Sequence, residues 1–427
     1  MSVSDFENSI HAGRFSVSEV LFKFILLDVL FFPYPPGLPV TFGVLAAMIW
    51  PILSLKHANA RYLALSTALI ILVILTFLRF LAFSPASSSI FLVPNTVNAG
   101  ILCFMAILTM MTVSTLGKGR VNVVNYDFTL SALKWYIIFK SILAAVFLLS
   151  PPSYFRVRSF WTLSGNTIEV GDLSIITRFT GTLSDPNNFA CIMVAVVAFV
   201  IFRQPYKMMQ NVGILLLSSI SIVASMSVTA ICAFLIIVAI YATFARLSAR
   251  RGTRLLLRFA LVSVIPIIFF AAFQVFKDNL VVQLALQRVT ESSTDSRLAK
   301  FAILADFDKL LPALFIGEGA TIIWNGGIFQ PHIGHIYLIF GYGVPAYILF
   351  LLAFFPVSLR KPLVNAAFLL PIFLGFSLNV GIYEPRFGGI WALLVGLYFI
   401  EPHGRNLVTR QDHDARSPYA RIVKWPV

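Results

Sequence analysis

Apolar residues recur in blocks of about twenty along nearly the whole chain, and a block of that length crosses a bilayer as one helix. About twelve blocks can be drawn on this rule. They lie around residues 20–33, 38–55, 62–83, 93–115, 131–150, 187–202, 211–226, 228–245, 256–276, 336–355, 363–382 and 388–400. The expected fold is all-α: a polytopic integral membrane protein of about twelve transmembrane helices, with residues 1–427 forming a single membrane domain. The seventh and eighth blocks meet at Met226-Ser227, so tightly that they read either as two spans or as one broken or re-entrant segment.

Two polar stretches, 151–186 and 277–335, are far longer than a simple turn requires. Within the second, Leu298, Phe301, Ala302 and Ala305 share one face at helical spacing. Thr294-Asp295-Ser296 supplies N-cap candidates, while Pro312 and the Gly317-Glu318-Gly319 turn close the pattern. The spacing predicts an amphipathic helix over Ser296–Leu311, lying flat on the membrane or on top of the bundle.

Composition supports the membrane reading. Hydrophobic residues make up 59% of the 427, 41 of them Phe, and charged residues 12%. A soluble domain of this size needs no such apolar surface, so the bilayer is its expected solvent. The net charge of +14 would suggest nucleic acid on a soluble protein. Here Lys56/Arg61, Lys118/Arg120, Arg203/Lys207, Arg246 to Arg254 and Arg360/Lys361 fall in loops on one side, as does the tail 401–427. That bias marks the cytoplasmic side, so both termini are expected inside and no nucleic-acid partner is expected. The loops 151–186 and 277–335 then face outward, which excludes direct use of cytoplasmic ATP or nucleotide sugars. Cys103, Cys191 and Cys232 sit in apolar blocks and read as packing residues rather than disulfide partners.

Several outward-facing polar groups are candidates for chemistry. Arg178 precedes Asp185-Pro186-Asn187, where Asp185 is a good N-cap and Pro186 suits the first helical position. Arg178 either snorkels to headgroups or joins helix amides in docking a phosphate. Arg297 either pairs with Asp295 or Glu291 or grips a second phosphate. His332 and His335 are either polar edge residues or, for His335 at a helix start, a base for chemistry near neutral pH. Gly334 between the two histidines and the lack of nearby ligands argue against a metal. Asp28 and Lys140 lie inside spans, where a lone charge is a functional-site candidate and the two could pair. Arg79 reads as a snorkelling residue at an outer helix end. Glu384 and Arg386 sit in a short outer turn that could border the same cavity.

The order of these motifs resembles the O-antigen ligase and O-antigen polymerase superfamily of bacterial envelopes. The resemblance rests on Arg178-x-x-Gly181-x-x-x-Asp185-Pro186-Asn187, the tight pair of spans at Met226-Ser227, then Arg297, the Gly317-Glu318-Gly319 turn, and a helix start at His335-Ile336-Tyr337-Leu338 ending in Gly341-Tyr342-Gly343. Two positions depart from it: Ser227-Val228-Thr229 lacks the arginine often found there, and Ile336 stands where Asn or Ser often follows the histidine. The resemblance implies a multi-pass protein of the bacterial inner membrane with a first periplasmic loop at 151–186 and a large one at 277–335. It implies a glycosyltransferase using an undecaprenyl-diphosphate-linked glycan, with no cofactor and no metal. An acceptor sugar hydroxyl attacks the anomeric carbon and the lipid diphosphate leaves. Arg178 and Arg297 would hold the diphosphate, and His335 would orient or deprotonate the acceptor. Asp185, Asn187, His332 and Arg386 are supporting candidates. A polysaccharide polymerase is favoured over a ligase acting on lipid A core or protein. The implied partners are membrane lipids and, beside the glycan carrier, a chain-length regulator and a flippase. A lipid-linked sugar flippase and a non-catalytic scaffold of an envelope complex are the rivals from other classes.

Overall fold

The computed structural model describes residues 17–35, 41–54, 60–83, 89–116, 123–161, 178–183, 185–203, 208–244, 299–319, 321–325, 327–329, 333–355, 362–378 and 384–399. The 256–276 block, Arg297, His332, both termini and the tail 401–427 lie outside these residues. Within them the chain is mostly helical. The longer helices are α1 (Val17–Phe31), α2 (Phe42–Ser54), α3 (Ala60–Phe83), α4 (Ser89–Leu116), α5 (Val123–Leu149), α6 (Pro151–Arg158), α7 (Pro186–Arg203), α8 (Met208–Ser225) and α9 (Val228–Phe244). They continue with α10 (Phe307–Ala313), α11 (Gly334–Tyr342), α12 (Val344–Phe354), α13 (Pro362–Leu378) and α14 (Pro385–Phe399).

Among the described residues, four stretches are long and apolar enough to cross a membrane: Leu63–Ala82, Pro94–Leu116, Asn125–Leu149 and Pro186–Arg203. Large apolar side chains on α3, among them Ile71, Ile74, Leu78 and Leu81, are exposed. A contiguous apolar face of that kind is a liability in water and the expected lipid contact in a bilayer. The chain therefore reads as membrane-embedded.

α7 forms the centre. Every residue from Asn188 to Ile201 is buried, as expected of a helix that is apolar all round. It packs against α5, α8, α9, α13 and α14. The most extensive helix pair is α4 with α14. It is close because α14 presents glycines: a Cβ on Gly388 would lie 2.9 Å from Met105, and one on Gly396 would lie 2.6 Å from Thr112.

Side-chain bonds fix the helix directions. Arg203 at the end of α7 donates to Leu397 O and Tyr398 O at the end of α14, at 3.4 and 3.1 Å. Arg386 at the start of α14 donates to Thr182 O, just ahead of α7, at 3.4 Å. The two helices therefore run parallel. α13 ends shortly before α14 begins, so it runs antiparallel to both. Asn211 near the start of α8 donates to the Tyr241 hydroxyl near the end of α9 at 2.9 Å. The Met226-Ser227 pair is thus the turn of an antiparallel hairpin, not a break in one helix.

The structure departs from expectation in four places. The 336–355 block is divided at Gly343 (φ +91°) into α11 and α12. The cause is a strand-like segment laid along the end of α11. Glu318 N donates to Phe340 O and Gly319 N to Gly341 O, both at 2.8 Å, satisfying carbonyls that a helix end leaves open. A Cβ on Gly317 would sit 2.2 Å from Gly341 C, and one on Gly343 would sit 2.8 Å from Phe315 O. Arg79 does not snorkel; it donates to Ile316 O and Gly317 O.

The amphipathic helix over Ser296–Leu311 is also absent as one unit. A 3-10 helix at Ala299–Ala305 and α10 are separated at Asp306. Asp306 is extended and N-caps α10 by accepting from Lys309 N, while its second oxygen accepts from Trp324 Nε1 at 2.9 Å. Pro312 lies inside α10 instead of closing it. Phe301, Ala302 and Ala305 are exposed, whereas Ile303, outside the expected face, is buried. Finally, β1 (Ile322–Trp324) pairs antiparallel with β2 (Gly327–Phe329), a small addition to an otherwise helical fold.

Gly317→Ala is expected to destabilise by about 1–3 kcal/mol, since backbone on both sides must move. Gly213→Ala on α8, where nothing lies within 4 Å, should be neutral or slightly stabilising. Thermal unfolding in detergent reads both; equal midpoints would show that the segment does not hold α11 closely.

Candidate functional site

The segment 178–183 is not an open loop. Phe179, Thr180, Thr182 and Leu183 are all buried. Phe179 N donates to Ala224 O at the end of α8 at 3.0 Å, and its ring packs among Phe147, Tyr154 and Phe189. Gly181 takes φ +62°, and a Cβ there would lie 2.4 Å from the Phe189 ring, so only glycine fits. The Tyr154 hydroxyl donates to Gly181 O at 2.8 Å and accepts from Thr180 N at 3.3 Å. Burial raises its pKa above that of an ordinary phenol, against the opposing pull of the Arg158 guanidinium and the Thr180 hydrogen bonds.

Arg178 closes this segment onto the α8–α9 turn. Nε donates to Ser225 O at 2.9 Å, and Nη2 donates to Asn187 Oδ1 at 2.8 Å and to Met226 O at 3.4 Å. Met226 carries φ +51°, so the turn exposes the carbonyls that this cation holds. Asp185 is the N-cap expected of it. Its Oδ1 accepts from Asn187 N at 2.7 Å and Asn188 N at 3.0 Å, while its carbonyl accepts from Phe189 N. The expected row of free amides is therefore corrected: Pro186 has no N–H, and Asp185 takes the next three.

His335 opens α11, half-buried. Its Nε2 lies 2.9 Å from Ser377 Oγ and its Nδ1 3.1 Å from the Tyr347 hydroxyl. Phe376 and Phe373 pack beside the ring, with centroids 4.8 and 5.1 Å away.

α7 and α13 bring Arg178 and His335 to the same end of the bundle. Gly375 on α13 meets Cys191 on α7, where an added Cβ would come within 2.8 Å. At about 1.5 Å per residue, Asn187 lies about 6 Å beyond that contact along α7, and Ser377 about 3 Å beyond it along α13. Because the helices are antiparallel, both offsets point the same way. Arg178 is bonded to Asn187 and His335 to Ser377, so one helix pair carries both groups.

Buried charges gather nearby. Lys140 and Asp28 do not bond to each other. Lys140 Nζ donates to Thr182 Oγ1 at 2.5 Å, over the rings of Tyr136 and Phe139. Asp28 Oδ2 accepts from Gly43 N at 2.8 Å. Arg386, almost fully buried, donates to Trp161 O and Thr182 O at 3.4 Å and to Phe32 O, with its guanidinium 4.3 Å from the Tyr34 ring centroid. Glu384 is buried beside it in sequence. Burial, and then the Glu384 carboxylate, push the Tyr34 phenol above its usual pKa, partly offset by Arg386. Thr182 is thus gripped twice, through its hydroxyl by Lys140 and through its carbonyl by Arg386.

Thr182, Tyr347 and Ser377 escaped the sequence reading. Tyr347 and Ser377 sit among apolar neighbours, and Thr182 sits in a turn-like stretch ahead of a helix, with no spacing signal to mark any of them. Among the described residues, no group of three His, Cys, Asp or Glu side chains is placed to hold a metal ion.

Thr182→Val should cost about 1–3 kcal/mol by removing the hydroxyl that receives the Lys140 ammonium. Adding Lys140→Met should recover part of that loss, because the stranded charge is gone. Unfolding midpoints of the two single variants and the double variant test this coupling, and strict additivity would refute it.

No family model, no curated protein and no solved structure matches this chain.

Proposed function

We propose that this chain is a membrane glycosyltransferase that moves a glycan from an undecaprenyl-diphosphate carrier to an acceptor sugar hydroxyl at the outer face of the bacterial inner membrane. The acceptor oxygen bonds to the anomeric carbon as the bond to the diphosphate oxygen breaks. Arg178 and Arg297 stabilise the departing diphosphate, and His335 engages the acceptor hydroxyl. Acceptor growth on the lipid carrier, that is polymerisation, is the favoured form; transfer to lipid A core or protein is the same chemistry with another acceptor. Neither a nucleotide sugar nor a metal takes part, and chain-length regulator and flippase proteins are the expected partners.

The observation that carries this reading is the shared end of α7 and α13. A guanidinium held by Asn187 and an imidazole held by Ser377, 157 residues apart between Arg178 and His335, rest on one helix pair. The motif order described above supplies the chemistry. A lipid-linked sugar flippase is a second reading, favoured by the buried Lys140, Asp28 and Arg386 and by the helix broken at Gly343.

Reconstitution with a lipid-diphosphate oligosaccharide and a chelator, without nucleotide sugar, should yield ladders of longer glycan. Arg178→Ala, Arg297→Ala and His335→Ala should each slow turnover by about 10²–10³-fold per folded molecule. Wild-type chain length in all three variants would defeat the proposal. Loss of function confined to Lys140→Met and Asp28→Asn would favour transport.

A further inference from the structure

Two hydroxyls end on the same imidazole. The Tyr347 hydroxyl lies 3.1 Å from His335 Nδ1 and Ser377 Oγ 2.9 Å from Nε2. The rings of Phe376, Phe373 and Tyr347, with centroids 4.8, 5.1 and 5.8 Å from that of His335, leave little freedom for the imidazole to turn over.

A neutral imidazole has one N–H and one lone pair. One of these hydroxyls must therefore donate to the ring, and the other must accept from it. A phenol, with an ordinary pKa of about 10, is a stronger donor than an aliphatic alcohol. The favoured arrangement has Tyr347 O–H donating to the Nδ1 lone pair and Nε2–H donating to Ser377 Oγ.

We propose, resting on the transferase reading above, that Tyr347 is a positioning residue that fixes His335 as its Nε2–H tautomer. His335 then orients the acceptor by donating a hydrogen bond from Nε2 and does not remove its proton there. Ser377 Oγ, accepting from that N–H, marks the place of the incoming hydroxyl and keeps its own proton to donate. As the acceptor oxygen bonds to the anomeric carbon and the carbon–oxygen bond to the diphosphate breaks, the hydroxyl proton passes to the departing diphosphate, the group that gains negative charge in the step.

The full-length protein, labelled with nitrogen-15 histidine and held in lipid nanodiscs, tests the tautomer without any glycan. Of six histidines, the signals lost in His335→Gln belong to His335. Wild type should show a pyridine-like Nδ1 and a pyrrole-like Nε2. Tyr347→Phe should move both signals toward averaged values. The reverse assignment in wild type, averaged wild-type signals, or no change in Tyr347→Phe would each overturn the proposal. In the transfer assay, His335→Gln carries a side-chain N–H close to the Nε2 position. It should outpace His335→Ala by about tenfold, the worth of one hydrogen bond. A Gln variant as slow as the Ala variant would overturn the donor role. If wild type itself transfers no glycan, the transferase reading falls, while the nitrogen signals still decide the tautomer.

Discussion

A helix end surrounded by other helices has no water to satisfy its last carbonyls, and that single constraint explains how four arginines among the described residues are used. Arg178 holds Ser225 O and Met226 O after α8. Arg203 holds Leu397 O and Tyr398 O at the end of α14. Arg386 holds Phe32 O just after α1, where Trp161 Nε1 takes Phe31 O at 2.7 Å. Arg79 serves the backbone of Ile316 and Gly317 beside the broken helix. An arginine suits this work because its planar fork reaches several carbonyls at once and its charge favours the negative end of a helix. An orphaned buried carbonyl would cost about 1–3 kcal/mol, so each of these cations has a structural reason to exist before any substrate arrives.

That double use shapes the reading of the site. Arg178 is already engaged with two backbone carbonyls and Asn187, and Asp185 has taken the amides that begin α7. A diphosphate would meet a cation fixed in place by the fold instead of a row of open helix amides. Such fixation is an advantage for charge stabilisation, because a preorganised group need not reorganise as the leaving oxygen becomes anionic. Lys140 and Arg386 act one layer deeper. By gripping Thr182 from α5 and from α14, they set the height of the segment that carries Arg178.

The apolar blocks around 62–83, 93–115, 131–150 and 187–202 were legible because a helix that crosses lipid needs about twenty apolar residues. The Asp185-Pro186 start of α7 was legible too, since cap and first-turn preferences are local. What failed depended on contacts distant in sequence. The break at Gly343 arises because Phe315 to Gly319 occupies the space a continuous helix would fill. The helix ending at Ala313 starts afresh at Asp306 because that carboxylate also answers Trp324, eighteen residues on. Lys140 was visible as a charge within an apolar run, but its partner Thr182 was not, because a threonine ahead of a helix looks like any other turn residue.

Ser377 and Tyr347 belong to the same class of hidden residue, and they show why an apolar block should not be dismissed as inert. In a helix of lipid-compatible composition, a serine or threonine usually bonds back to a carbonyl of its own helix. Thr112 and Ser141 do so here, through Leu108 O and Ile137 O. Ser377 and Tyr347 instead spend their hydroxyls on one histidine at the mouth of α11. Two helices therefore aim polar groups at a third, at the end of the bundle where α7 begins. Packing alone would be served as well by Ala and Phe at those positions, so the hydroxyls are better explained by what they do to the imidazole than by what they do for the fold.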